Sequence, residues 1–381
     1  MKYAKRLAIG LLFVIALLII TGCTTIPQAW PGLAADSEAV YVTLAGKIHA
    51  VDPDNGNAMW IFPSEPARQS GLGCSGPAKP ESGLFYASPV LGQDVVFAGS
   101  DIGKVYALNR TNGTQQWMFI SQEETERGLS NFFSERKNPS IIGSPTLDGE
   151  TIYIPSANRN LYAVDATSGT KQWDFQANDA IWASPLMTKD RIYVAAMDQK
   201  LYCLDRETRK ELWAFDTGGA IPSTPALVGD TIYVSSLSQQ VVALDANTGE
   251  QRWMFEVDSW AWATPLVISD TVYVSEVNGT LFALDAKTGD EQWYFDTQGR
   301  IQAVPAYADG TLYLASEDMN LYALDAATGT QEWQFTASAA LMSAPIVVDD
   351  MLYVVSMDNK VHGLNADSGA KIWEYNPTAE K

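Results

Sequence analysis

The sequence predicts an all-β fold, an eight-bladed β-propeller of four-stranded antiparallel blades. A motif of about fifteen residues, seen as LYALDAATGTQEWQF at residues 321–335, recurs along almost the whole chain. Short β-patterned runs that return about every 40 residues are typical of propellers, whose blades cannot bury both faces alone. The repeated tryptophans are Trp60, Trp117, Trp173, Trp213, Trp253, Trp293, Trp333 and Trp373.

Each copy contains two hydrophobic runs, a turn and the tryptophan strand. In the fourth copy, residues 192–194 and 201–204 are β-branched and aromatic, which predicts strands buried between neighbouring sheets. Asp205 begins the turn, which in the other copies ends in a glycine such as Gly249, where a positive φ is cheap. Arg209 replaces that glycine in this copy, so we expect its turn to be strained or differently shaped. The indole is interpreted as a wedge between adjacent blades.

A second repeated position holds proline and precedes the two hydrophobic runs. Proline cannot donate to a β-ladder, which indicates an edge strand, and the first strand of a propeller blade is an edge that faces the channel. We therefore expect the proline strand innermost and the tryptophan strand outermost. The prolines are Pro89, Pro145, Pro185, Pro225, Pro265, Pro305 and Pro345, with Pro31 as a looser eighth.

The N-terminus has the pattern of an export signal, with basic residues before an apolar segment at residues 7–20 and small residues before Cys23. Residues 20–23, Ile-Thr-Gly-Cys, resemble the bacterial lipobox, which implies cleavage before Cys23 and its acylation. An uncleaved signal anchor is the alternative. The sequence thus predicts a lipoprotein signal peptide at residues 1–22, a tether at 23–29 and a propeller at 30–381. We expect the protein outside the cytoplasm, lipid-anchored to a bacterial membrane at the outer membrane or cell surface.

The chain is acidic, with a net charge of −20, and loss of the signal would remove three more positive charges. Such a surface repels nucleic acid, so no nucleic-acid partner is expected. Many carboxylates fall in turns predicted to share one face of the ring, which we call the acidic face. A solvated face is favoured over a calcium array, since no copy has the alternating carboxylates of a calcium loop. These residues are Asp165, Asp190, Asp205, Asp230, Asp245, Asp270, Asp285 and Asp325.

The opposite face, which we call the linker face, carries the links between blades and two long insertions that precede Pro89 and Pro145. Loops of that length on a rigid scaffold often carry function. Aromatic residues that the repeat does not explain fall in the same links, three or five positions before the proline, together with one arginine, and the second insertion adds two phenylalanines. They have the composition of an interaction hot spot; alternatively, the insertions pack over these rings. The candidate partner-binding residues are Tyr86, Phe132, Phe133, Trp182, Trp260, Trp262 and Arg300.

Catalytic and metal-binding signatures are absent from the sequence. No Ser, His and acid set with catalytic spacing, phosphate loop or metal motif appears, so neither a cofactor nor a metal is expected. His49 and His362 replace the repeat aromatic of the third strand and are interpreted as packing residues rather than ligands. A disulfide between Cys74 and Cys203 is disfavoured, because it would join a loop to a blade interior.

The DAxTGxxxW turn followed by an aromatic residue, repeated eight times over about residues 30–375, resembles the repeat of pyrroloquinoline-quinone (PQQ) type propellers. The quinoprotein dehydrogenase branch implies a quinone, a calcium ion and a vicinal disulfide, but this chain is shorter and has no adjacent cysteines. The outer-membrane assembly lipoproteins (BamB-like) imply a non-catalytic eight-bladed scaffold with the same export signal. That family closes its ring with an N-terminal outer strand, whereas residues 373–375 already complete the eighth blade of this chain.

The resemblance to this second branch implies a tethered, non-enzymatic scaffold in outer-membrane or cell-envelope protein assembly. It implies a monomer within a complex, with an envelope or membrane protein as partner. A PQQ-dependent dehydrogenase-like enzyme and a small-ligand sensor are the alternatives.

Overall fold

Eight four-stranded antiparallel sheets form the molecule, and each is built from four consecutive strands. The structure is a computed structural model that describes residues 31–64, 82–121 and 140–377. None of the residues that it describes forms a helix with the length and hydrophobicity needed to cross a bilayer. The predicted eight-bladed propeller is confirmed.

Each blade contributes four strands, which are numbered in chain order. They are β1 Leu33–Ala35, β2 Val40–Leu44, β3 Lys47–Val51, β4 Ala58–Phe62; β5 Val90–Leu91, β6 Val95–Gly99, β7 Lys104–Asn109, β8 Gln115–Ile120; β9 Thr146–Asp148, β10 Thr151–Pro155, β11 Asn160–Asp165, β12 Lys171–Gln176; β13 Leu186–Met187, β14 Arg191–Ala195, β15 Lys200–Asp205, β16 Glu211–Asp216; β17 Ala226–Val228, β18 Thr231–Ser236, β19 Gln240–Asp245, β20 Gln251–Glu256; β21 Leu266–Ile268, β22 Thr271–Ser275, β23 Thr280–Asp285, β24 Glu291–Asp296; β25 Ala306–Ala308, β26 Thr311–Ala315, β27 Asn320–Asp325, β28 Gln331–Thr336; β29 Ile346–Val348, β30 Met351–Ser356, β31 Lys360–Asn365 and β32 Lys371–Tyr375.

The short first strand of each blade lies innermost. Pro89 directly precedes β5, and Pro185 directly precedes β13, so the prolines stand where the chain enters the inner edge. First strands of neighbouring blades contact one another, including β1 and β29 across the two ends of the ring. The order from the channel outward is therefore as the proline and tryptophan positions predict.

The hydrophobic core is divided among eight seams, each between two neighbouring blades. Between blades 5 and 6, Tyr233 and Val241 of one sheet pack against Val272 and Val274 of the next. The second and third strands are buried on both faces, which is why their sequences are almost continuously apolar.

The repeated tryptophan reaches across the seam to the turn of the following blade. Trp253 Nε1 donates to the carbonyl oxygen of Ala286 at 3.0 Å. The ring lies so close beneath Gly289 that an added Cβ would stand 2.8 Å from Trp253 Cδ2. These contacts place the indole between the two blades. The corresponding glycines at the other seams are Gly56, Gly113, Gly169, Gly249, Gly329 and Gly369.

The turn of blade 4 has the same shape although it lacks the glycine. Arg209 N donates to Asp205 O at 2.8 Å, as Gly249 N does to Asp245 O. Arg209 adopts a φ of 62°, a left-handed conformation that is costly for a residue with a Cβ. Its guanidinium carbon lies 5.4 Å from the centre of the Trp173 ring, which offers a cation–π contact. The turn is therefore strained rather than reshaped.

Side chains, not an exchanged strand, close the ring. β32 is the outer strand of blade 8 and pairs with β31 of the same blade. Across the last seam, Trp373 Nε1 donates to Pro53 O at 2.8 Å, and the ring packs against Gly56. The eighth blade is complete without an N-terminal strand, as residues 373–375 predict.

Several predicted features lie outside the described residues. These are the signal peptide at residues 1–22, Cys23, the tether at 23–29, and the central parts of both insertions, with Cys74, Phe132 and Phe133. Cys203 is described; it is buried and forms no disulfide within the part of the chain that the structure covers.

Removal of a tryptophan wedge is expected to destabilise the propeller strongly. Trp253 is 8% exposed, so Trp253→Ala should lower the free energy of unfolding by about 3–5 kcal/mol through loss of its packing. Met254, the next residue on β20, is 42% exposed, and Met254→Ala should cost less than about 1 kcal/mol. Denaturant unfolding of both variants measures the difference; equal losses would contradict the wedge role.

Candidate functional site

The backbone of the acidic face is similar from blade to blade, whereas its side chains differ, since Arg206 pairs with Asp148 and Arg252 pairs with Asp230 and Asp245. The turn between the third and fourth strands bonds to the turn between the first and second, as Ala246 N does to Asp230 O at 2.9 Å. Within the first of these turns the leading aspartate accepts backbone amides. In blade 3, the Ser168 amide and, to a smaller extent, the Ser168 hydroxyl donate hydrogen bonds to Asp165. These bonds hold the pKa of Asp165 below its ordinary value. These carboxylates stabilise their own turns, which fits the solvated face that the sequence predicts.

The linker face has its own repeated hydrogen bond. In blade 6, Val277 N donates to the carbonyl oxygen of Trp260 at 2.9 Å, and in blade 7 Glu317 N donates in the same way to Arg300 O. Each bond joins the turn between the second and third strands to the link that enters the blade. The backbone that carries Trp260 and Arg300 is therefore held in place.

Trp260 and Arg300 are the two large exposed side chains at this clamped position. Trp260 is 52% exposed, and Arg300 is exposed as well. The same position holds alanine in blades 4, 5 and 8, serine in blade 3 and a buried leucine in blade 2; these residues are Ala180, Ala220, Ala340, Ser140 and Leu84. An indole and a guanidinium thus project from equivalent positions of adjacent blades. The clamp bonds hold the backbone at both positions in the absence of a partner.

The other described candidates are more buried and more dispersed. Tyr86, Trp182 and Trp262 are half-buried and enter blades 2, 4 and 6, three residues before the proline. The odd-numbered blades have Ile142, Pro222 and Gln302 at this position. Large and smaller side chains thus alternate around the ring instead of meeting in one aromatic patch. Of the predicted residues, Trp260 and Arg300 form the exposed pair, while the three aromatics alternate in the links.

An apolar series beside these links is not evident from the sequence. Half-buried apolar residues lie one or two positions after the second strand in four blades, and their amides form the clamp bonds described above. The only sequence signal is an apolar residue in an otherwise polar turn. They are Met197, Leu237, Val277 and Met357.

Folding also brings together a serine, a histidine and a glutamate. Their spacing in the sequence does not match a known catalytic motif. Ser356 Oγ lies 3.0 Å from His362 Nε2, and His362 Nδ1 lies 3.5 Å from Glu374 Oε2. Ser356 has no exposed surface, so a substrate cannot reach its hydroxyl in this structure. Its Oγ also donates to Asp358 Oδ1 at 2.5 Å. The arrangement contributes to the packing of blade 8 rather than forming an accessible nucleophile.

Both histidines pack on aromatic rings of the preceding blade. The ring centres of His362 and Phe335 are 5.3 Å apart, and those of His49 and Tyr375 are 5.7 Å apart. Tyr375 brings a hydroxyl into the closing seam, where its oxygen lies 2.9 Å from His49 Nδ1. Burial lowers the pKa of each histidine from 6.5 to about 4.

Comparison with known proteins assigns the family. The family model described as outer membrane protein assembly factor BamB matches residues 44–196, 103–220, 197–304 and 295–381. The chain belongs to the BamB family. A curated relative, outer membrane protein assembly factor BamB of Escherichia coli K12, is 33% identical over 94 residues, which are 24% of this chain. The match spans 22% of the length of that relative.

Solved structures share the fold at low sequence identity. BamB from Moraxella catarrhalis superposes with a TM-score of 0.68 at 17% identity, over 89% of this chain and 97% of the other. Quinohemoprotein alcohol dehydrogenase from Comamonas testosteroni gives a TM-score of 0.66 at 14% identity, over 91% and 75%. Similarity at this identity shows the fold alone.

The described residues do not fit the cofactor site that the dehydrogenase branch implies. Among residues 31–64, 82–121 and 140–377, no three His, Cys, Asp or Glu side chains are placed to hold a metal ion. Cys203, the single cysteine in these ranges, cannot form a vicinal disulfide. The residues therefore offer neither the calcium ligands nor the disulfide of a quinoprotein site.

The buried histidines predict a loss of stability in acid. Each histidine is neutral in the folded state, whereas the unfolded chain takes up a proton below pH 6.5. The free energy of unfolding is therefore highest above pH 6.5 and falls as the pH is lowered toward 4. For His362 this amounts to about 3 kcal/mol. His362→Tyr should reduce the fall by about this amount, because Tyr322 fills the same position in blade 7 and bonds to Asp318. Unfolding free energies at pH 6.5 and 4 measure it; identical profiles for both proteins would contradict the assignment.

Proposed function

We propose that this chain is a non-catalytic, lipid-anchored scaffold outside the cytoplasm, which binds an envelope protein partner during outer-membrane protein assembly. Membership of the BamB family supports this role, since relatives are described as outer membrane protein assembly factors. The observation that carries the proposal is the asymmetry between the two faces. The acidic face repeats the same turns, whereas the linker face presents Trp260 and Arg300 at a position that holds alanine, serine or a buried leucine in the other blades where the structure describes it.

The Trp260 and Arg300 pair has the properties of a binding hot spot. Tryptophan and arginine are enriched among residues that carry most of the energy of an interface. The clamp bonds to Trp260 O and Arg300 O hold both backbones before binding, which reduces the entropy lost on association. Within the described residues, Arg300 forms no salt bridge, so its guanidinium is available to a carboxylate of the partner. We propose Tyr86, Trp182 and Trp262 as surrounding contacts, with Phe132 and Phe133 nearby.

Loss of the exposed pair is expected to weaken partner binding without unfolding the protein. Trp260→Ala with Arg300→Ala should reduce the affinity for the envelope protein partner by about 30-fold or more, as hot-spot residues contribute about 2 kcal/mol. The melting temperature should be nearly unchanged. Affinity capture from host membranes, with the recovered assembly proteins quantified, measures the effect. Tyr294→Ala is the matched control, since Tyr294 is 59% exposed but lies on an outer strand.

Two outcomes would contradict this proposal. Capture that survives the double substitution but is abolished by charge reversal at Asp205, Asp245 and Asp285 would place the site on the acidic face. Binding heat on addition of quinone and calcium, together with alcohol oxidation, would revive the enzyme alternative.

The anchor has a separate test. We propose that Cys23 becomes the acylated N-terminus of the mature chain, which tethers a monomer to the membrane beside its partner. Mature protein should fractionate with membranes, and mass spectrometry of its N-terminal peptide should show acyl chains on Cys23. Cys23→Ser should prevent lipidation, so the acyl mass should be absent. Exported protein that retains Met1 would instead support an uncleaved signal anchor.

A further inference from the structure

Glu276 is an unusual residue of the linker face. It follows β22 directly and has 0% exposure, and it is the only carboxyl side chain among the buried residues that the structure describes. The same position in five other blades holds a buried serine. In those blades the position needs only a small side chain, so a buried glutamate in blade 6 calls for a cause. The serines are Ser100, Ser156, Ser236, Ser316 and Ser356.

The carboxyl group of Glu276 is directed at the link that carries Trp260. Its Oε1 accepts a hydrogen bond from Ser259 N at 3.1 Å. The next residue, Val277, donates its amide to Trp260 O at 2.9 Å. Glu276 and Val277 thus bind the amide of Ser259 and the carbonyl of Trp260, which flank the Cα atom of Trp260 along the backbone. The exposed tryptophan is thus fixed from beneath on both sides of its Cα.

Other blades hold the link from a different place. In blade 4, Asp198 Oδ2 accepts from Asn178 N at 2.9 Å, and in blade 7 Asp318 Oδ2 accepts from Gln298 N at 2.9 Å. Those aspartates stand two residues after the serine position, where blade 6 has Asn278. In blade 6 the acceptor has therefore moved into the interior, and the amide that it binds is one residue closer to the indole.

This arrangement costs stability. Glu276 Oε2 is buried and accepts no hydrogen bond from the described residues. A buried carboxyl with one oxygen unsatisfied is less stable than a small hydroxyl at the same position. A local cost of this kind is typical of a site whose geometry matters for function.

We propose that Glu276 is a positioning residue, which fixes the orientation of Trp260 for its partner at the expense of fold stability. The inference rests on the proposed function, which gives Trp260 its role in partner binding. The positioning itself can be measured without any partner. A purely structural residue in the same place would raise the stability of the propeller, and its removal would lower the melting temperature.

Hydrogen exchange provides the test. Glu276→Ser, which installs the residue of the other blades, should speed exchange of the Ser259 amide by at least about tenfold, since a hydrogen bond to a carboxyl group is lost. The melting temperature should stay the same or rise. Glu276→Gln keeps an oxygen acceptor and should retain slow exchange. Asp318→Ala is the matched control, because it frees Gln298 in blade 7 and should leave Ser259 unchanged.

Unchanged exchange at Ser259 in Glu276→Ser, or a fall in melting temperature, would overturn the positioning role. Capture of the envelope protein partner then separates this inference from the proposed function. If both hold, Glu276→Ser weakens capture less than Trp260→Ala does. If Trp260→Ala has no effect on capture while Ser259 exchange still accelerates, the proposed function fails and the positioning role stands.

Discussion

The close approach of an indole to the turn of the next blade is the contact on which the propeller depends. At seven of the eight seams the turn has a glycine, because a Cβ would stand less than 3 Å from the tryptophan ring. At the seams of Trp60, Trp117, Trp253 and Trp373 the indole nitrogen also donates to a carbonyl of the turn, whereas the nitrogens of Trp213 and Trp293 have no such partner among the described residues. One contact thus fixes the distance and the rotation between sheets, and the eight seams in succession bring the two ends of the chain together.

This dependence explains how much of the fold the sequence could predict. Tryptophan, turn glycine and edge proline must recur at each seam, so their period specifies the blade number, the strand order and the wedge. The ends of the ring obey the same rule with different residues. Tyr375 brings a hydroxyl where the other seams have phenylalanine, and His49 meets it at 2.9 Å. A histidine that looks anomalous in the sequence is explained by a residue 326 positions away.

The candidate site could be predicted only where it departs from the repeat in a visible way. Trp260 and Arg300 stand out because bulk replaces alanine at an exposed position. Glu276 does not, since a glutamate in a turn is ordinary until the fold buries it beneath Ser259. The contact between Ser356, His362 and Glu374 also follows from strand pairing, and only the structure shows that its serine is inaccessible. Periodicity reveals what all blades share, whereas a site consists of what one blade does differently.

Because every blade is made from four consecutive strands, the seams differ sharply in the length of chain they enclose. Trp253 finds its carbonyl 33 residues ahead, whereas Trp373 must find one 320 residues back. A chain that emerges N-terminus first can therefore form seven seams in succession and must leave the first blade uncovered until the last has appeared. The final seam is therefore the most non-local of the eight in sequence, and it can form only when the last blade is present. The open arc is the species that would meet chaperones and proteases, and a whole repeat can be gained or lost without rethreading any strand.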